Sequence, residues 1–177
     1  MQLKFARTVL AGAALVAGLA VVTPGTASAQ MGFVLQANYN SDVDFGVGAG
    51  VNFGLGSLTA KQGIRGEATF DYFFPSTPGG YGTFDPNYKY WELNGNLMMD
   101  IKSVAGLYVG AGINYAHSSF DFSGCGAFCN GFGASASDVG LNVLGGYSFG
   151  GQKSPFVQAK IELGHGSPFV VTGGIRF

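Results

Sequence analysis

The feature that most constrains this chain is a two-residue alternation of apolar and polar side chains that runs through nearly all of it. Over 32–40, Phe33, Leu35, Ala37 and Tyr39 fall on one side, and Val34, Gln36 and Asn38 on the other. Over 44–55, Phe45, Val47, Ala49, Val51, Phe53 and Leu55 alternate with Gly46, Gly48, Gly50, Asn52 and Gly54. The same pattern recurs over 63–74, 90–101, 107–115, 139–147, 157–163 and 169–177. Successive side chains of a strand point to opposite faces, so each segment predicts a strand with one apolar and one polar face. Every charge within a strand core falls on the polar face.

Which face looks inward follows from composition. Only 11% of residues are charged, against about 25% in ordinary soluble domains. The polar faces combine glycines (Gly46, Gly48, Gly50, Gly110, Gly112) with long charged side chains. Such a mixture suits the cramped interior of a small barrel, with the apolar faces turned to lipid. Strands cross a bilayer only when closed into a barrel, because lipid cannot bond an open edge. The expected fold is therefore all-β: an eight-stranded antiparallel up-and-down transmembrane β-barrel. A soluble secreted sandwich with the apolar faces inside is the alternative.

The N-terminus carries Lys4 and Arg7, an apolar run over 9–22, Pro24 and Gly25, and the small-residue site Ala27-Ser28-Ala29. The run is short for a membrane helix. It predicts a secretory signal peptide over 1–29, cleaved before Gln30, and one barrel domain over 30–177. Once Lys4 and Arg7 leave with the leader, acids outnumber bases, so nucleic acid is not an expected partner.

Connections support the same topology. From a periplasmic N-terminus, 56–62, 102–105 and 150–154 should be short inner turns. Loops 75–88 and 118–136, with short ones at 40–43 and 164–168, should face outward. Tyr39, Phe45, Tyr72, Trp91 and Tyr115 are expected at the outer rim, and Phe33, Phe53, Tyr147, Phe149 and Phe177 at the inner one.

From 31 to 177 this pattern resembles the small eight-stranded barrels related to outer membrane proteins A, X and W. The most specific element is the terminal segment Val170-Val171-Thr172-Gly173-Gly174-Ile175-Arg176-Phe177. It looks like the assembly signal of such proteins, with Ile175 and Phe177 as its alternate apolar positions. The resemblance implies a bacterial (Gram-negative) outer membrane, recognition by the barrel-assembly machinery, and contact with outer-membrane lipids. Unlike outer membrane protein A, no peptidoglycan-binding domain is expected, so no cell-wall tether is implied.

Candidate sites follow from the faces. Arg65, Lys160 and Arg176 share the interior with Glu67, Asp71, Glu92, Asp100 and Glu162, and bare charges there would be costly. An ion-pair network filling the lumen is expected, with Arg65–Asp100 as one pair and little open conductance. Cys125 and Cys129 predict a small disulfide ring worth about 2 kcal/mol, in preference to a metal site. Tyr81, Phe84, Phe120, Phe122, Phe128 and Phe132 in the outer loops form a possible contact surface. Acids (Asp42, Asp44, Asp85, Asp121, Asp138) dominate there over Lys89, which disfavours direct grip on polyanions. His117-Ser118-Ser119 raises lipid A modification, with Asp121 or Asp138 as orienting acid, but its flanks do not match that family. The glycines at 46–50 open no helix and are no phosphate loop, and His165 has no expected partner.

The expected function is a non-enzymatic cell-surface role: adhesion, surface protection or envelope integrity through the outer loops. A narrow porin-like channel for small or hydrophobic solutes is the second class, and a lipid-modifying enzyme the third. A monomer is expected, with no cofactor, no metal, and an extracellular ligand or surface as partner.

Overall fold

The computed structural model describes residues 31–55, 63–75, 85–123, 133–164 and 168–177. The expected leader over 1–29, Cys125, Cys129, Tyr81, Phe84, Phe128, Phe132, His165 and residues 56–62 lie outside them. The described residues form β1 (Met31–Asn40), β2 (Asp44–Gly54), β3 (Ile64–Phe73), β4 (Asp85–Asp100), β5 (Leu107–Ser123), β6 (Gly133–Ser148), β7 (Ser154–Leu163) and β8 (Phe169–Arg176). Each pairs antiparallel with its sequence neighbours, and β8 returns to β1, so the sheet is a closed barrel. The seam runs from Val34 opposite Arg176 to Asn40 opposite Val170. Beyond it, the Phe177 amide donates to the Phe33 carbonyl at 2.9 Å.

The alternation sorts side chains as a barrel requires, with the polar set inside. Glu92 is 0% exposed and Lys160 5%, whereas Phe33 is 69% and Val139 67% exposed. The interior is tight, and small residues face large ones across it. A Cβ on Gly46 would lie 2.7 Å from Phe73 Cδ1, and one on Gly174 would lie 2.7 Å from Phe156 Cε1. These glycines are the space into which the rings fit.

Strand ends differ from expectation on one side only. The loops expected over 75–88 and 118–136 are partly strand: β4 begins at Asp85, β5 runs to Ser123 and β6 begins at Gly133. These three strands have 16, 17 and 16 residues, and the other five only 8 to 11. In the extra lengths Lys89 opposes Ser119, which opposes Ser135, and Ser118 opposes Ala136. Small and polar residues on both faces over 116–119 and 133–138 leave no hydropathy alternation there, yet the backbone ladder needs none. Phe120 and Phe122 therefore lie in β5 and not in a loop. At the other end the two described connections are tight. Ile101 N donates to the Leu107 carbonyl at 2.8 Å, and Gly150 and Gly151 take φ of 75° and 97°, where a Cβ would be strained.

The inside-outside sorting makes a testable contrast between two glycines. Gly46→Val should cost about 1–3 kcal/mol by overpacking the lumen. Gly173→Val, at a position with nothing within 4 Å of a Cβ, should be near neutral. Urea unfolding of the barrel in detergent micelles reads both; equal losses would contradict the interior assignment.

Candidate functional site

The lumen holds most of the buried polar chemistry, in two layers. In the layer toward the outer mouth, Asp71 on β3 accepts from Gln36 Nε2 at 2.7 Å and Asn38 Nδ2 at 2.6 Å. It also accepts from Thr69 Oγ1 and Asn94 Nδ2, both at 3.0 Å. Strand β7 sends Lys160 across to meet this group. Its Nζ donates to Asn94 Oδ1 at 3.0 Å, approaches Glu92 Oε2 at 3.4 Å and pairs closely with Glu162. Asn142 Nδ2 donates to both Asn94 Oδ1 and Asn96 Oδ1 at 2.9 Å. Thr172 Oγ1 donates to Asn38 Oδ1 at 2.7 Å, completing a bonded path from β8 to β7 through the middle.

The inner layer is built on Arg176. Its Nε donates to Glu67 Oε2 at 2.8 Å, and its Nη2 to the Tyr108 hydroxyl at 3.3 Å. The guanidinium lies 3.6 Å from the centroid of the Phe156 ring. Tyr108 in turn donates to Gln158 Oε1 at 3.1 Å and packs with Met98 and Leu144. Arg65 sits 4.5 Å from the Tyr108 centroid, and its Nη1 donates to Asp100 Oδ1 on the neighbouring strand. All eight charged side chains singled out in the sequence thus face the lumen, and seven of them are ion-paired; the remaining Asp71 accepts from neutral donors. Sequence reasoning missed the asparagines that join them and the aromatic floor of Tyr108 and Phe156. Asn94 and Asn96 did stand at alternate positions of one polar face, which was the available signal.

Above the outer layer the mouth widens into a vestibule of about 390 Å³, bounded by Tyr90, Asn114, Ala116, Ser118, Asp138 and Glu162. One wall is the inner face of the extended β4–β6 sheet. On that sheet's outer face His117 Nδ1 lies 2.8 Å from Ser137 Oγ, which also accepts from the Tyr115 hydroxyl at 2.9 Å. The His117 ring stacks 5.2 Å from Trp91. Its neighbour is therefore Ser137 and not Ser119, which pairs with Lys89 and Ser135 two residues further along. Asp138 belongs to the opposite face by strand parity, so it cannot orient His117. Among the described residues no group of three or more His, Cys, Asp or Glu could hold a metal.

No protein-family model matches the chain, and no curated protein does. The likeness is to solved structures. Neisserial surface protein A shares 13% identity over 82% of this chain and 90% of that one, with a TM-score of 0.47. Ail, the attachment invasion locus protein of Yersinia pestis, in complex with the heparin analogue sucrose octasulfate, shares 15% over 83% and 95%, also at 0.47. Ail solved without that ligand gives 14% identity and a TM-score of 0.42.

The ion pairs differ in burial, and so should their energetics. Removing Lys160, whose side chain is 6% exposed, strands Glu92 and Glu162, and Lys160→Ala should cost about 3–5 kcal/mol. Arg65→Ala, at a pair whose Asp100 side chain is 51% exposed, should cost about 0–1 kcal/mol. Denaturant unfolding of the two variants measures the difference.

Proposed function

We propose that the chain is an integral bacterial outer-membrane protein with a non-enzymatic surface role, its barrel an anchor and its outward β4–β6 sheet the working surface. The observation that carries this is the inversion of the barrel: charges and amides inside, and a continuous apolar exterior. Phe45 is 66%, Ile113 60% and Leu35 55% exposed. A soluble protein seldom exposes apolar patches beyond a few hundred Å², and the hydrocarbon of a bilayer is the solvent such a belt fits. Tyr39 and Phe45, 5.1 Å apart, and Trp91 and Tyr115, 5.7 Å apart, crown it at the outer end. Tyr147 and Phe149 pair at 5.1 Å at the other end. Both ends suit interfacial aromatic positions.

Adhesion, surface protection or envelope integrity would be carried by the projecting sheet and the connections 76–84 and 124–132. An extracellular ligand or surface is the partner class, and a monomer suffices for the anchor. The bonded lumen favours this over the channel reading, since Lys160, Asn94, Asp71 and Asn38 span it. Asp138 lies on the face opposite His117 and Ser137, and the ring of His117 stacks on Trp91, which favours a structural role for the pair.

Two measurements test the proposal. Purified monomer in planar bilayers should show no large, steady conductance; steady channels would overturn the closed anchor. In a Cys125→Ser, Cys129→Ser background, Ser135→Cys should react with a membrane-impermeant maleimide on intact cells, and Ser103→Cys should not. The reverse labelling would invert the orientation and remove the working surface from the outside.

A further inference from the structure

The lipid-facing side of the barrel has a notch. Reading the register across one row of outward positions gives Val51, Ala68, Gly95, Ile113 and Leu141 on successive strands. The row toward the outer rim reads Ala49, Phe70, Leu93, Tyr115 and Val139, and the next row inward Phe53, Gly66, Leu97, Ala111 and Val143. Of these three rows only the middle one sets two small outward residues, Ala68 and Gly95, side by side, as Ala37 and Gly173 are on the far side of the barrel; in the next row inward Phe53 lies across Gly66. A Cβ placed on Gly95 would meet only Ile113 Cγ1, at 3.9 Å. The result is an apolar groove of about 370 Å³, walled by Val51, Ala68, Leu93, Ile113 and Tyr115. Thr69, Asn94 and Asn114 border it from strands whose polar side chains are buried on the lumen side.

We propose that this groove seats one acyl chain of a membrane lipid, held in place as a specific ligand and not as passing solvent. The proposal rests on the membrane reading above. What identifies the occupant is the polarity profile along the wall. The groove is apolar along its length and continuous with the exterior belt. Trp91, two outward positions above Gly95 and about 13 Å along the strand, begins a polar and aromatic cap with Tyr115, His117 and Ser137. Hydrocarbon below and hydrogen-bonding groups above is the order of a lipid tail beneath its ester and headgroup region. A flexible chain also fills an irregular concavity that would otherwise forfeit dispersion contacts. A second copy fits less well: a two-fold contact centred here would set one groove against another and fill neither.

The test uses the full mature chain and dimyristoyl phosphatidylcholine as probe. After reconstitution, gentle delipidation and native mass spectrometry, the wild type should retain one phosphatidylcholine per chain. Gly95→Leu and Ala68→Leu, which fill the groove from two strands, should lose it. Gly173→Leu, on the far side where a Cβ meets nothing, should keep it. Equal retention by wild type and Gly95→Leu would overturn the seat, as would a wild-type dimer that Gly95→Leu converts to monomer. Trp91 is the single tryptophan of the chain, so its quenching by chain-brominated phosphatidylcholine reports insertion separately. Absence of any quenching would overturn the membrane reading, and the seat with it. Quenching with equal lipid retention in all variants would overturn the seat alone.

Discussion

Everything in this molecule depends on the antiparallel ladder between β1 and β8. Eight strands joined only to their sequence neighbours would make a curved sheet with two open edges. Pairing the first strand with the last removes both edges and, around the barrel itself, satisfies each strand's backbone on two sides. Closure also creates an inside. Once there is a lumen, one face of each strand must share a narrow space with the same face of every other, and side-chain volume becomes a collective constraint.

The chain meets that constraint by making the interior polar but fully occupied. Glycines stand opposite rings, carboxylates opposite ammonium and guanidinium groups, and asparagines bridge between them. Asn94 shows the economy of the arrangement: its amide nitrogen serves Asp71 while its oxygen takes Lys160 and Asn142. A buried charged network of this kind contributes less to stability than an apolar core of equal volume would, because desolvation offsets the attraction. It does dictate a single register, since a one-residue slip of any strand would send its charges to the exterior.

Sequence alone made the strands, their order and the sorting of faces legible, because alternation survives wherever one face is apolar. It failed where both faces are small or polar. Ser118, Ser119, Ser135 and Ala136 carry no periodic signal, so the outer thirds of β5 and β6 read as loop until the ladder is seen. The charged lumen residues could be named from their parity, but not matched across the barrel, because the stagger of strands that brings Lys160 to Glu92 is set by closure. The pairing of His117 with Ser137 across strands, in preference to nearby Ser119, was hidden for the same reason. The groove at Gly95 needed three registers at once.

The long strands β4, β5 and β6 have a mechanical consequence. The outer end of β4 continues five residues past the end of β3, and that of β6 eight past the end of β7, roughly 16–27 Å of paired backbone. That makes them a short lever of hydrogen-bonded sheet in place of a tether. A lever transmits force to the barrel wall without first being pulled straight. A contact made near its tip would also surrender little conformational freedom, since the ladder has already taken most of it.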